Sequence, residues 1–280
     1  MPLQELDGKR LDTFYTELRT KAGRNGKGLA PATVRGIHIV LGRILKSAIK
    51  SRSISHNPIE DAETAPTAGQ QDEITILEEA ELAALLNHLR SHWLYLPTLL
   101  AASTGLRRGE ILGLRWRELD TTQATLKVAQ QAATIGGKVC LVRPKSARSR
   151  RTITLPASLI PELQAHKRTQ SAWRLKYGLG KDPADLVFTN PQGEVVHPEG
   201  FTELFGRQTR AAGLGRVKFH SLRHLHITQL LRAGVPVHIV SARAGHARPS
   251  ITLDLYSHVL SGDDATAAER ADEALLRVLT

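Results

Sequence analysis

Between Ala124 and Leu155 the apolar pattern of this chain shifts toward residue-by-residue alternation, whereas most of the rest recurs every three to four positions. That single switch confines any sheet to a small insert in a helical protein. The predicted strands are Thr125–Val128, Val139–Val142 and Thr152–Leu155. Gly136-Gly137 separates the first two and a basic run separates the last two, so the expectation is a small antiparallel sheet with two hairpin turns. The fold class is therefore mainly α with a small antiparallel β-sheet, an α+β arrangement.

Leu11–Thr20 reads as a short helix, followed by the glycine-rich turn Gly23–Gly28. Pro31 then sits in the first turn of a longer helix, where proline is tolerated. Along it Val34, Ile37, Leu41, Ile44, Leu45, Ala48 and Ile49 keep helical spacing, leaving Arg35, Arg43, Lys46 and Lys50 to other faces. Asn57-Pro58 closes this unit, and Ala62–Asp72 has the proline, glycine and small polar residues of a linker. The predicted organisation is a small basic-faced helical domain over 1–61, a linker over 62–72 and a larger domain over 73–280. Thr75-x-x-Glu78 is a capping box opening a helix with Leu82, Leu85, Leu86 and Leu89. Helical patterns follow at Leu96–Ser103 and Arg108–Leu114, and again after Pro156, interrupted by a short strand at Leu186–Phe188 and a turn at Asn190–Gly193.

In 280 residues, 38 Lys and Arg stand against 27 Asp and Glu, a net charge of +11 that favours a polyanionic partner. Lys138, Arg143, Lys145, Arg148, Arg150 and Arg151 form one basic run with no acid among them. Aromatic residues at 4% argue against a base-stacking single-strand binder. No apolar run reaches the roughly 20 residues of a membrane span. The lone Cys140 excludes an intramolecular disulfide and points to a reducing cytoplasm.

Four strings carry chemistry. His220 and Arg223 stand three apart in a predicted helix and so share a face, aiming an imidazole and a donor fork at one point. Alone this pair is compatible with a solvated helix face. Arg107, after Thr104-Gly105-Leu106, projects from a helix–helix junction where the glycine lets the chain turn. His246 follows Gly245 in a turn, and Tyr256 lies ten positions on in AGHARPSITLDLYSH. Lys145 stands in Arg143-Pro144-Lys145-Ser146, entering the loop before the third strand.

In order and separation these strings resemble the tyrosine recombinase (phage integrase) family, with motif support from Ile74 to the end and a looser match to the family's helical core-binding domain over Leu29–Pro58. Ser221 stands where the family usually has aspartate, and Ala244 where leucine is common. Against that family the chain is expected to begin inside the core-binding domain, without its first helix or an arm-binding domain; DNA grip is affected by this more than chemistry.

The resemblance implies a catalytic set of Arg107, Lys145, His220, Arg223, His246 and Tyr256. Tyr256 would attack a DNA phosphodiester while Arg107 and Arg223 clamp its oxygens, doing without metal, ATP or any other cofactor. Lys145 would protonate the leaving 5′ oxygen, His220 would take the tyrosine proton and His246 would hydrogen-bond the phosphate. Arg35, Arg43, Lys46, Arg148, Arg150 and Arg151 are the expected DNA contacts. The implied partner is double-stranded DNA bearing core-type sites, bound by a homotetramer with an accessory bending or excision factor, in the cytoplasm on the nucleoid. An apolar tail helix over Ala267–Leu279 would dock on its own domain or on a neighbouring protomer. Three alternatives stand beside this: a truncated DNA-binding relic that blocks a core site, a zinc hydrolase using His220, His224 and His226, and a type IB topoisomerase. The zinc reading lacks a His-Glu-x-x-His motif and an acid beside the cluster, and the motif strings favour the recombinase over the topoisomerase.

Overall fold

The computed structural model describes residues 2–23, 26–66, 77–144 and 149–257, with 268, 271–272 and 276–277 beyond them. By its internal contacts the chain divides into two units, Met1–Glu73 and Ile74–Thr280.

In the first unit, α1 (Gly8–Thr20) starts where Asp7 accepts a hydrogen bond from the Arg10 amide at 2.8 Å, and α2 (Pro31–Lys50) starts on its proline. Leu11, Tyr15 and Leu18 of α1 pack on Val34 of α2, with Ile37, Leu41 and Ile59 around them. Asp12 fixes the far end of the unit by accepting from the Thr64 amide and hydroxyl, both at 2.6 Å. On α2 Arg43 and Lys46 are exposed and Arg35 is half-buried.

In the second unit the described helices are α3 (Glu79–His88), α4 (Tyr95–Thr104), α5 (Arg108–Leu112), α6 (Leu159–Lys176), α7 (Pro198–Ala211), α8 (Phe219–Arg232), α9 (Val237–Ala244) and α10 (Pro249–Tyr256). The strands are β1 (Leu119–Asp120), β2 (Thr125–Val128), β3 (Gln131–Ile135), β4 (Lys138–Val142) and β5 (Arg151–Thr154). One core joins Leu85, Leu100, Ile111, Leu126, Ile153, Phe205 and Leu222, drawn from helices and sheet alike. A smaller cluster gathers Ile227 and Leu231 of α8, Val240 and Ala244 of α9, and Tyr256 at the end of α10.

The three expected strands correspond to β2, β4 and β5; β1 and β3 are additional to them, and the pairing differs from the expected meander. Gly136-Gly137 turns β3 into β4, which form a separate two-stranded hairpin, while β2 pairs with β5 at Leu126↔Ile153 in a sheet of order β1-β2-β5. Leu126 and Ile153 are both buried core residues, so burial on one face decides the register. Leu186–Phe188 is not a strand; Leu186 makes an isolated bridge to Arg115. α3 opens one turn later than Thr75 suggests, with the Glu81 carboxylate accepting from the Glu78 amide at 2.9 Å; Thr75 lies outside the described residues.

Candidate active site

Two helix ends hold the two arginines. α4 closes on Gly105 in a left-handed conformation (φ 67°), and α9 closes on Gly245 in the same way (φ 69°). Arg223 Nη1 donates to the Gly105 carbonyl at 2.7 Å, and Arg107 Nη2 donates to the Gly245 carbonyl at 2.9 Å. Carbonyls at a helix C-terminus lack partners within the helix and carry the negative end of its dipole, so each is a natural seat for a guanidinium. Neither glycine tolerates a side chain. A Cβ on Gly105 would lie 2.7 Å from His226 Cδ2, and one on Gly245 would lie 2.8 Å from Arg151 Nη1.

Arg107 caps the N-terminus of α5, and Glu110 accepts both from its amide (2.9 Å) and from its Nη1 (3.1 Å). Arg223 is only 3% exposed, and its Nη2 is buried with no hydrogen-bond partner among the described residues. Burial, and then the charge of Arg107, push the Arg223 pKa down to about 9. It therefore remains a cation at neutral pH, one whose environment favours an added anion.

Glu110 is shared. Arg151, at the start of β5, donates to both of its carboxylate oxygens at 2.9 and 3.0 Å, and Arg151 Nε reaches the Arg243 carbonyl at 2.7 Å. Burial alone would raise the Glu110 pKa; the bonds and charges of Arg151 and Arg107 outweigh it and hold the carboxyl below its ordinary value. Behind this pair His226 donates from Nδ1 to the Ala102 carbonyl at 3.1 Å and accepts at Nε2 from Arg243 Nε at 3.1 Å. Burial and the Arg243 charge push its pKa down to about 4, so it is neutral.

Tyr256 meets one histidine directly. Its hydroxyl lies 2.5 Å from His224 Nδ1, and its ring is buried in the small cluster of α8 and α9. Burial pushes the Tyr256 pKa up to about 12. His224 falls to about 4 through burial, then the charges of His220 and Arg223. Tyrosine is therefore the donor in this bond. His220, one turn earlier on α8, meets the His224 ring edge-on at 4.7 Å between centroids. It stands at the solvent-facing side, and the partial burial of its ring, then Arg223 and Arg107, lower its pKa. His246 bonds Thr252 Oγ1 through Nδ1 at 2.7 Å; burial, then Arg223, Arg107 and Arg151, push it down to about 4.

The structure thus brings together Arg107, His220, Arg223, His246 and Tyr256 from four separate stretches of chain. Ser221 bonds the Lys218 amide at 3.3 Å and so helps open α8. Lys145, Arg148 and the tail helix over Ala267–Leu279 lie outside the described residues, apart from isolated positions in the tail. Arg150 is exposed, but Arg151 is not part of a solvated basic loop: its side chain is 8% exposed and its fork is spent on Glu110. The tyrosine hydroxyl meets His224 and not His220, the residue expected to take its proton. Glu110 and His224 are the site residues that the sequence strings did not single out, although each had a signal. Glu110 is three residues beyond Arg107, and His224 is four beyond His220 on the same helix face. Among the described residues no three His, Cys, Asp or Glu side chains gather as metal ligands.

Residues 75–262 match the model of the phage integrase family. The chain is 29% identical over 292 residues to the tyrosine recombinase XerC-like protein of Caldanaerobacter subterraneus subsp. tengcongensis, covering 99% of this chain and 73% of that one. It is 25% identical over 239 residues to the integrase of Mycobacterium phage L5, covering 85% of this chain and 62% of the phage protein. Among solved structures, the Tn1549 transposon integrase in complex with transposon right end DNA has a TM-score of 0.80 at 20% identity, over 98% of this chain and 87% of that one. A lambda integrase dimer bound to a core site has a TM-score of 0.60 at 18% identity, over 93% and 82%. The two structural likenesses show a shared fold, and these matches do not favour the non-recombining relic. With its family match running through both arginine strings to the tyrosine, the chain belongs to the phage integrase family, the tyrosine-type site-specific DNA recombinases.

Proposed function

We propose that this chain cuts and reseals double-stranded DNA through a covalent 3′-phosphotyrosyl link at Tyr256, moving a mobile element or prophage into or out of a larger DNA. The observation that carries the reading is the pair of guanidinium groups seated on the Gly105 and Gly245 carbonyls beside the Tyr256 site, one of them with a buried, unpartnered Nη2. A phosphodiester bound there takes charge-assisted bonds from Arg107 and Arg223 on its non-bridging oxygens. Because both forks are already held, little reorganisation accompanies the build-up of negative charge during in-line attack. His246, neutral and fixed by Thr252, presents its remaining ring nitrogen to a phosphate oxygen. Lys145 is assigned the proton for the leaving 5′ oxygen. A 5′ hydroxyl from a second duplex then attacks the phosphotyrosine, so the bond energy is conserved and no nucleotide is consumed.

On DNA the active form is a homotetramer across two synapsed core-type sites, with Arg43, Lys46 and Arg150 among the exposed backbone contacts, assisted by a bending or excision factor. Membership of the tyrosine recombinases and the DNA-bound states named for two fold relatives support this partner. The test is denaturant-resistant crosslinking to duplexes tiled across the DNA flanking the gene, with Tyr256→Phe beside the wild type. A detergent-stable adduct lost in Tyr256→Phe is the expected result. Noncovalent binding with no adduct on any duplex contradicts it.

A further inference from the structure

We infer that His224 is an additional catalytic residue, the group that takes the proton from the Tyr256 hydroxyl during attack and returns it during resealing. This rests on the reading of Tyr256 as nucleophile. The geometry is direct. Tyr256 Oη and His224 Nδ1 are 2.5 Å apart, and the phenol and imidazole centroids are 5.7 Å apart at 45°, so the hydroxyl is in hydrogen-bond contact with a ring nitrogen. α8 supplies the acceptor and α10 the donor, and the small apolar cluster around Ile227, Leu231, Val240 and Ala244 fixes both elements. His220 occupies the outer side of His224, edge-on at 4.7 Å, between that ring and solvent. His224 holds the hydroxyl through a ring nitrogen with a lone pair to take its proton as Oη attacks, whereas His220 has no hydrogen bond to the hydroxyl.

The local charge also changes in the required direction when substrate binds. Burial, and then the charges of His220 and Arg223, disfavour an imidazolium at His224. A phosphodiester seated on Arg223 offsets that positive charge at the moment the proton is to be accepted. The step balances. The Oη–H bond breaks and its proton goes to His224 Nδ1, the Oη–P bond forms, and the P–O5′ bond breaks. The 5′ oxygen takes a separate proton from Lys145, and resealing reverses each transfer.

The test is single-turnover cleavage of a duplex from the gene's flank, nicked just beyond the cleaved bond so that the short fragment escapes. Wild type, Tyr256→Phe, His224→Ala and His224→Asn are compared at saturating DNA. Asparagine places an oxygen near the position of Nδ1, so it can hold the hydroxyl but cannot accept a proton. The expected result is a fall of about 10²-fold or more for both His224 variants. That deficit persists on a duplex whose scissile 5′ oxygen is replaced by sulfur, a leaving group needing no proton. Recovery on the sulfur duplex puts His224 on the leaving-group side and overturns the assignment. Asparagine cleaving within threefold of wild type reduces His224 to a holding role and also overturns it. If wild type itself forms no Tyr256-dependent adduct, the nucleophile reading fails first and this one falls with it.

Discussion

Glu110 and Arg151 face each other as a two-pronged buried pair, Nη1 to Oε1 at 2.9 Å and Nη2 to Oε2 at 3.0 Å, although 41 residues separate them in sequence. The pair ties the arginine string at the end of α4 to the strand that follows Lys145. Through Arg151 Nε it also reaches the end of α9, one turn from Gly245 and His246.

Removing one partner leaves the other charge buried. Arg151→Ala and Glu110→Gln are each expected to lower stability by about 3 kcal/mol in chemical denaturation. The double variant should cost less than the sum of the two, because the coupling is lost only once. Additive costs would show that the two groups act independently.

Alanine at Gly245 meets two obstacles, a φ of 69° and the Arg151 fork 2.8 Å from the new Cβ. The expected loss is about 2 kcal/mol, accompanied by loss of the covalent adduct as the carbonyl seat of Arg107 shifts. Gly136 has φ 57° in the β3–β4 turn with no atom within 4 Å of an added Cβ. Gly136→Ala should show the backbone cost without the loss of adduct, and gel-based crosslinking separates the two.

Arg223→Lys keeps the charge but replaces a fork with a point. The single ammonium cannot bond the Gly105 carbonyl and a phosphate oxygen with the same planar geometry. Cleavage at saturating DNA should fall about 10²- to 10³-fold with little change in DNA affinity. A variant that cleaves normally but binds weakly would reverse that assignment.

Acid should destabilise the second unit through a buried neutral histidine. His226 is neutral when folded, with a pKa near 4 against 6.5 for a free histidine, so the unfolded chain binds more protons between those values. There is no penalty above about pH 6.5, and the penalty grows as pH falls toward 4, reaching on the order of 3 kcal/mol for this buried ring. His226→Gln should flatten that acid limb in melts recorded across the range. An unchanged slope would mean that other groups dominate it.

Much of this arrangement is legible in the sequence because it is local. The helical spacing of Val34 through Ile49, the left-handed glycine before Arg107 and the shared face of His220 and Arg223 each need only neighbouring residues, and each stands where expected. The strand pairing was not legible. The alternating run marks strands but carries no label for which partner each takes, and the β3–β4 hairpin is inserted between β2 and β5. The same limit hid the partner of Arg151. A basic run reads as solvated until a buried carboxylate from 41 residues upstream is placed beside it. His224 was visible as one of three close histidines, but its role depends on α10 bringing Tyr256 to it.

The seating of Arg107 and Arg223 on main-chain oxygens has a consequence for how such a protein drifts over generations. Every residue has a carbonyl, so no single codon change can delete either acceptor. The seat asks nothing of the side chains of α4 and α9 beyond their packing, so long as each helix stops at its glycine. Inheritance of the clamp is therefore carried by where two helices end, which makes it insensitive to most point changes and vulnerable to insertions or deletions that move those ends.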